Sequence, residues 1–179
     1  MTILVTDACS VINFAASGDM DVLKSGLSVR TPRCTQAVDA ELRKWVHNFP
    51  GLRPLLDEGW LGEPIELTRV EDRTDVGRIR TALGGTRNEP TLHLGEAESI
   101  HAMLTRVELA GAVLLTDDRD ASRMAGRRSL TFWDTTRLLA DIHFSGDLEW
   151  DEAQQILQRM DQADRGVRIP ASYQEFIQG

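Results

Sequence analysis

Short apolar runs that alternate with helix-like segments constrain the fold of this chain more than any other feature. The run ILVTD at residues 3–7 is rich in aliphatic residues, and the segment after it changes to helical spacing, with Gly18 as a plausible stop. The same change follows LSVRTP at residues 27–32, where apolar residues of the next segment, residues 35–46, recur at helical spacing. Strands joined by crossover helices form a mostly parallel sheet with helices on both faces. The sequence therefore predicts an α/β fold.

Further runs and helical segments extend this alternation over the whole chain. Three more runs have strand character: PIELT at residues 64–68, AVLLT at residues 112–116 and SLTFW at residues 129–133. Helical spacing recurs at residues 50–60, 71–83 and 94–110, and residues 84–91, with two adjacent glycines and Pro90, form the clearest loop. We expect one three-layer α/β/α domain spanning residues 1–179, with a mostly parallel five-stranded sheet. Residues 134–179 are expected to form a helical extension packed on it.

The overall composition limits the class of protein and its partners. The 179 residues fit one ordinary domain, and a net charge of −8 argues against a protein that coats nucleic acid through a broad basic surface. The two cysteines are too few for a secreted disulfide scaffold. No apolar run approaches the roughly 18 residues of a membrane helix, and the first residues lack a signal-peptide pattern. These features predict a cytoplasmic protein with no membrane partner.

Acidic residues follow two of the predicted strands at the point where each strand ends. Asp7 follows the first strand, and a group of three aspartates, Asp117, Asp118 and Asp120, follows the fourth. The carboxyl ends of parallel strands lie at one edge of a sheet, where ligands gather. Glu41 falls in the helix after the second strand, and two glutamates, Glu96 and Glu98, fall in the first turn of the helix that begins near Leu94. Four separated segments can therefore converge at this edge.

Each acidic residue taken alone has a simpler explanation. Asp7 can cap the next helix, and Glu96 and Glu98 suit a helix amino terminus, where the helix dipole stabilises negative charge. Glu41 lies among apolar helix positions, so that an inward carboxylate there needs a partner. If these groups do converge, their mutual repulsion favours a bound cation, and oxygen ligands favour Mg²⁺ or Mn²⁺. His93 is the histidine nearest to these motifs.

These motifs, in this order, resemble the PIN-domain nucleases, in particular the prokaryotic toxin-like members of the VapC type. ILVTDACSVINFAASG resembles the opening strand and helix of the family, TQAVDAELRKW its second acidic segment and LHLGEAESIHAM its third. LLTDDRDASRMA resembles the last acidic segment, and the ending from Gly146 onward is similar to the helical tail of one subgroup. The resemblance covers nearly the whole chain.

The resemblance implies a ribonuclease that hydrolyses RNA with one or two Mg²⁺ or Mn²⁺ ions. It assigns the metal-binding and catalytic roles to Asp7, Glu41, Glu96 and Asp118, with Glu98, Asp117 and Asp120 as alternates. It also implies the toxin of a toxin–antitoxin pair, a homodimer blocked by a small antitoxin protein. Five basic residues are candidates for contacts with substrate phosphates: Arg78, Arg80, Arg87, Arg119 and Arg123.

Two other functions stay open at the level of sequence. The family pattern has a small hydroxyl or amide residue two places after the first aspartate, where this chain has Cys9, with Ser10 one place further on. This departure and the acidic net charge favour a non-catalytic PIN-fold module that binds RNA or protein. A phosphatase that uses Asp7 as its nucleophile is the other alternative, but such enzymes have a second aspartate at the position of Cys9.

Overall fold

The computed structural model describes residues 1–178, which form helices packed around a small sheet. The strands are β1 (Ile3–Thr6), β2 (Thr31–Arg33), β3 (Val113–Leu115) and β4 (Thr131–Trp133). The helices of the first half are α1 (Ala8–Ser17), α2 (Met20–Ser28), α3 (Gln36–Trp45), α4 (Leu52–Asp57) and α5 (Val70–Ala82). Those of the second half are α6 (Leu94–Thr105), α7 (Arg119–Arg127), α8 (Thr135–Phe144), α9 (Trp150–Gln162) and α10 (Tyr173–Gln178). A 3-10 turn, Val107–Leu109, follows α6.

The four strands form one parallel sheet in the order β2-β1-β3-β4. Leu4 of β1 is paired with Pro32 of β2 on one side and with Val113 of β3 on the other, and Leu114 of β3 is paired with Phe132 of β4. All three pairings are parallel, which confirms the predicted α/β fold. The carboxyl ends of β1 and β3 are adjacent, so that Asp7 and the aspartates after β3 lie at the same edge.

The prediction of a fifth strand at residues 64–68 is wrong. Only an isolated parallel bridge between Thr35 and Ile65 forms there. In this bridge the Ile65 N–H donates to the carbonyl of Cys34 at 2.9 Å, and the Gln36 N–H donates to the carbonyl of Ile65 at 3.1 Å. Because β2 has already ended and α3 begins at Gln36, the segment has no further extended backbone beside it with which to form a ladder.

Two other predicted boundaries are also wrong. The second strand begins at Thr31 and not at residue 27, because residues 27–28 belong to α2. Tertiary packing explains this helix: a Cβ atom on Gly26 would lie only 2.9 Å from Ile142 Cδ1, so glycine allows α2 to lie close against α8. Helix α6 ends at Thr105, short of the predicted residue 110, because Arg106 has an extended backbone.

Buried apolar residues lie on both faces of the sheet. Along β3, the side chains of Val113 and Leu115 belong to one buried cluster and that of Leu114 to the other, as the alternation of a strand requires. The first cluster includes residues of α1, α2, α3, α4, α8, α9 and α10, and the second includes residues of α5, α6 and α7. Helices therefore cover both faces of the sheet and leave its carboxyl edge as the place where polar side chains collect.

The helices after residue 134 contribute to the same core as the first strand. Leu138, Ile156 and Phe176 are fully buried and belong to the cluster that contains Leu4. Within residues 1–178, none of the helices combines the length and the apolar character that crossing a membrane requires.

Candidate metal centre

Asp7 lies at the carboxyl end of β1 and is only 2% exposed. It is the N-cap residue of α1: its Oδ1 accepts a hydrogen bond from the Ala8 N–H at 2.7 Å. Its Oδ2 accepts hydrogen bonds from the Thr116 hydroxyl at 2.9 Å and from the Cys9 thiol at 3.0 Å. The carboxylate thus lies at the carboxyl ends of the adjacent strands β1 and β3, where three donors fix its orientation.

The surroundings of Asp7 oppose its negative charge. Burial, followed by the negative charge of Glu96, raises the pKa of Asp7 to about 7, against the lowering effect of its three hydrogen bonds. Glu41 is half-buried in α3, and its pKa is raised by burial and then by the charge of Glu96, while Lys44 acts in the opposite direction. Glu96 is therefore the carboxylate whose charge acts on both of the others.

Gly95 allows Asp7 and Glu41 to approach the start of α6. A Cβ atom at Gly95 would lie 3.7 Å from Asp7 Oδ1 and 3.9 Å from Glu41 Oε2, and 3.0 Å from Val38 Cγ2. A side chain at this position would therefore fill the space between the two carboxylates. With glycine there, the space between Asp7 and Glu41, next to Glu96, is open.

A second set of contacts connects Glu96 with the end of β3. One ligand atom from each of His93, Glu96 and Asp118 can be chosen so that all three lie within 4.8 Å of one another. His93 has a left-handed backbone, with φ of 57°, immediately before α6, and its Nδ1 lies 3.4 Å from Glu96 Oε1. The three residues are partly exposed, so a dissolved ion can reach them. Sequence reasoning noted His93 only as the nearest histidine, because its backbone conformation is not visible in the sequence.

Thr116 connects Asp7 with Asp118. Its hydroxyl donates to Asp7 Oδ2 and accepts a hydrogen bond from the Asp118 N–H at 3.2 Å. Asp118 is the N-cap residue of α7, and its Oδ1 accepts from the N–H groups of Asp120 at 2.8 Å and Ala121 at 2.7 Å. The structure thus brings the four preferred acidic residues, Asp7, Glu41, Glu96 and Asp118, to one edge of the sheet.

Asp117 lies beside this group but faces other partners. It accepts hydrogen bonds from the Ser10 hydroxyl at 2.9 Å, from Asn13 Nδ2 at 2.8 Å, and from the N–H and hydroxyl of Thr135 at 2.9 and 2.6 Å. These donors belong to α1 and α8, so Asp117 connects both helices to the end of β3. Ser10 therefore does not replace the family's residue next to Asp7; the Cys9 thiol contacts Asp7 and Ser10 contacts Asp117.

The other two alternates have local structural roles. Glu98 Oε2 accepts from the Ala37 N–H at 3.0 Å, which satisfies one of the free donors at the start of α3. Asp120 is exposed and pairs with Arg123 at 2.9 Å. Neither belongs to the group formed by His93, Glu96 and Asp118.

Three of the five candidate arginines have local partners, and the other two are exposed. Arg78 pairs with Asp75, and Arg123 with Asp120, both on the exposed surface. Arg80 Nη1 donates to the carbonyls of Thr86 at 3.1 Å and Glu89 at 3.0 Å, which fixes the loop that precedes α6. Arg87 and Arg119 are exposed.

A cleft of about 640 Å³ opens from the acidic edge between α3 and the loop at residues 88–93. Glu41, Lys44 and Trp45 line it on the side of α3, and Glu96 lies at its end on α6. Sequence reasoning did not single out Lys44 or Trp45. Their helical spacing from Glu41 was the available signal, since residues three and four positions apart share a helix face.

One comparison with known proteins identifies the family of the chain. The family whose model matches is DUF3368, a PIN domain, over residues 3–178. Neither the search of the curated proteins nor the search of the solved structures found a match.

Proposed function

Because the chain belongs to the PIN domain family, whose model matches it over residues 3–178, we propose that it is an endoribonuclease that hydrolyses RNA phosphodiester bonds with Mg²⁺ or Mn²⁺. The observation that carries this proposal is the position of Glu96. Its charge acts on Asp7 and Glu41, and its carboxylate lies near Asp118 and His93. A nuclease fold with carboxylates gathered from four segments of the chain supports hydrolysis of a phosphodiester.

The residues at the edge suit a hard divalent cation. Carboxylate oxygens are the ligands that Mg²⁺ and Mn²⁺ prefer, and the open space beside Gly95 is bordered by two of them. We assign Asp7, Glu41, Glu96 and Asp118 as the ligands, with His93 as a neighbour that orients Glu96. When bound, the cation activates water and offsets the charge of the scissile phosphate.

The side chains around the carboxylates hold them in place for this role. Thr116 positions Asp7 and the backbone of Asp118 together, and the Ala8 N–H fixes the other oxygen of Asp7. Lys44 brings a positive charge to the cleft next to Glu41, where a phosphate of the substrate would lie.

The test is cleavage of RNA by the purified protein with Mn²⁺, with EDTA, and with the variant Asp7→Asn. We expect cleavage with Mn²⁺ only, and a loss of at least about a hundredfold in the variant, because a missing ligand weakens the cation site. Asn also caps helices well and can accept the bond from Ala8, so the variant should fold. Cleavage that survives EDTA would contradict a metal mechanism.

The non-catalytic alternative is favoured by one observation, the burial of Asp7 among three hydrogen-bond donors, which a purely structural N-cap would also show. The two functions differ in what Mn²⁺ does to the folded protein. A metal-binding nuclease gains thermal stability with Mn²⁺, whereas a module without a cation site does not. RNA binding without cleavage, together with an unchanged melting temperature in Mn²⁺, would support the module.

We also propose, from the resemblance to VapC-type proteins, that the nuclease is a toxin, that it forms a homodimer and that a small antitoxin blocks it. A toxin of this kind stops cell growth when expressed alone. Expression of the chain beside its Asp7→Asn variant tests this: arrest with the first and growth with the second is the expected result. Equal growth of both would contradict the toxin role while leaving nuclease activity open.

A further inference from the structure

One face of α3 forms a wall of the cleft that leads away from the carboxylates. The α3 residues that line the cleft are Ala37, Ala40, Glu41, Lys44 and Trp45. Their spacing of three and four positions places them on a single stripe of the helix. Along this stripe the chemistry of the side chains changes: two alanines are followed by the carboxylate of Glu41, the ammonium group of Lys44 and the indole ring of Trp45.

Trp45 lines this cleft, and its indole ring packs against another aromatic ring. It is 38% exposed, although large aromatic side chains are usually well buried. Its ring stacks on that of Phe49, with centroids 5.8 Å apart and planes at 30°, and Phe49 packs against the buried cluster beneath. Phe49 thus supports the indole from the side of the core, and part of the surface of the indole lines the cleft.

Lys44 is available for an anionic ligand. Its charge lowers the pKa of Glu41, which places it near that carboxylate, but it forms no ion pair with any carboxylate of residues 1–178. Opposite, Asn88 and Pro90 belong to the loop whose carbonyls are held by Arg80. One wall of the cleft is therefore a helix, and the opposite wall is a loop that Arg80 holds by hydrogen bonds.

We propose that Trp45 is the stacking platform for a nucleobase of the substrate, with Lys44 contacting a neighbouring phosphate. This rests on the proposed nuclease function, because it places the base about two nucleotides from the phosphate that is cut. Trp45 lies one helical turn from Glu41, about 6 Å along the axis, which is the length of about two stacked nucleotides. Base stacking on aromatic rings is tolerant of sequence, and only a base that has left its duplex can reach the ring.

The experiment measures binding of a fluorescent ten-nucleotide single-stranded RNA, by anisotropy, in the Asp7→Asn background with EDTA so that the RNA stays intact. The variants are Trp45→Ala, Trp45→Phe and, as a matched control, Phe144→Ala, which removes an aromatic ring that is 59% exposed and does not line the cleft. A second probe is an abasic ribose-phosphate oligomer of the same length, which keeps the phosphates and lacks every base.

We expect Trp45→Ala to weaken binding of the RNA about tenfold or more, Trp45→Phe to weaken it less than about threefold, and Phe144→Ala to leave it unchanged. The abasic oligomer should bind equally to the proteins with and without Trp45. All three variants should remain folded, because neither Trp45 nor Phe144 belongs to a buried apolar cluster, and melting curves check this.

Three results would overturn the platform: equal RNA binding by Trp45→Ala and its parent, an equal loss for RNA and for the abasic oligomer, or no RNA binding by the parent. Failure of the nuclease proposal looks different. In that case the chain with Asp7 intact does not cleave RNA in Mn²⁺, although its binding of RNA still depends on Trp45.

Discussion

The buried carboxyl group of Asp7 faces the negative charge of Glu96, at the start of a helix far away in the chain. Burial and this charge together raise the pKa of Asp7 to about 7. An arrangement of this kind costs stability unless a proton or a cation neutralises it. The metal-free protein and the metal-bound protein should therefore respond differently to pH and to loss of the carboxylate.

The free energy of unfolding of the metal-free protein should rise as the pH falls from 8 to 5. Between pH 3.8 and about 7 the folded state holds a proton on Asp7 that the unfolded chain has lost, so stability falls as the pH increases. Raised pKa values of Glu41, Glu98 and Asp117 act in the same direction.

The variant Asp7→Asn isolates the contribution of Asp7 to this slope. At pH 8 in EDTA it should be more stable than the parent by on the order of 4 kcal/mol. At pH 5 the difference should be clearly smaller, and it should disappear only below pH 3.8, where the unfolded chain is protonated as well. Urea unfolding at the two pH values measures this. A variant that is less stable than the parent at pH 8 would show that Asp7 is not destabilised by its surroundings.

Glu96→Gln and Glu98→Gln, although only two positions apart, should differ widely in their effect on activity. Glu96→Gln removes the charge that acts on Asp7 and Glu41, and we expect a loss of about a hundredfold or more in Mn²⁺-dependent cleavage, because a missing ligand weakens the cation site. Glu98→Gln keeps an oxygen that can accept the Ala37 N–H, so cleavage should stay within about threefold of the parent. Initial rates at saturating RNA measure both, and the reverse order would show that the site is built around Glu98.

Asp117→Asn and Asp118→Asn form a second matched pair. Asp117 accepts four hydrogen bonds from Ser10, Asn13 and Thr135, and an amide group would face the Asn13 donor. We expect a loss of about 2 kcal/mol in the free energy of unfolding. Asp118→Asn keeps a good N-cap and should retain stability, but lose stabilisation by Mn²⁺. Thermal melting with and without Mn²⁺ separates the two, and a stable Asp117→Asn that no longer responds to Mn²⁺ would contradict the assignment.

A different carboxylate should govern the stability of the fold in acid. Asp72 at the start of α5 accepts from His101 at 2.9 Å and from Arg69 at 3.2 Å, and these bonds, with the charges of Arg69 and Arg106, lower its pKa to about 2. The unfolded chain protonates Asp72 near pH 4, so its contribution is complete above pH 4 and is lost as the pH falls towards 2.

Asp72→Asn should therefore destabilise the protein at pH 7 and have little effect near pH 2. We expect about 1–3 kcal/mol at pH 7, in keeping with hydrogen bonds to a charged group. Chemical unfolding at a series of pH values measures this, with Asp75→Asn as a control on the exposed surface of the same helix. A cost that does not change between pH 7 and pH 2 would mean that the charge of Asp72 is not what stabilises α5.

The sequence predicted the parallel sheet and its acidic edge because both depend on local patterns. The apolar runs that end at Asp7 and Asp117 can be read directly from the sequence, and parallel strands bring their carboxyl ends to the same edge of the sheet. The fifth strand at residues 64–68 was wrong because strand formation depends on a neighbour, and only Ile65 finds one. Helix α2 was missed because the packing of Gly26 against Ile142 is a long-range contact that leaves no periodic signal.

Within the site, the sequence identified the acidic segments but not the role of each carboxylate. Glu96 and Glu98 both suit the first turn of a helix, and only the position of α3 shows that Glu98 accepts from Ala37. Asp117 and Asp118 likewise differ in their hydrogen-bond partners. Those of Asp117 belong to α1 and α8, whereas those of Asp118 belong to α7. His93 approaches Glu96 through a backbone with positive φ, which non-glycine residues rarely adopt.

The most direct test of the cation site is an anomalous difference map from a crystal of this protein soaked in Mn²⁺. We predict a peak at the carboxyl edge of the sheet, contacted by oxygens of Asp7, Glu41, Glu96 and Asp118. A map with no peak there, or with Mn²⁺ bound only at other surface carboxylates, would contradict the assignment of these four residues as a metal centre.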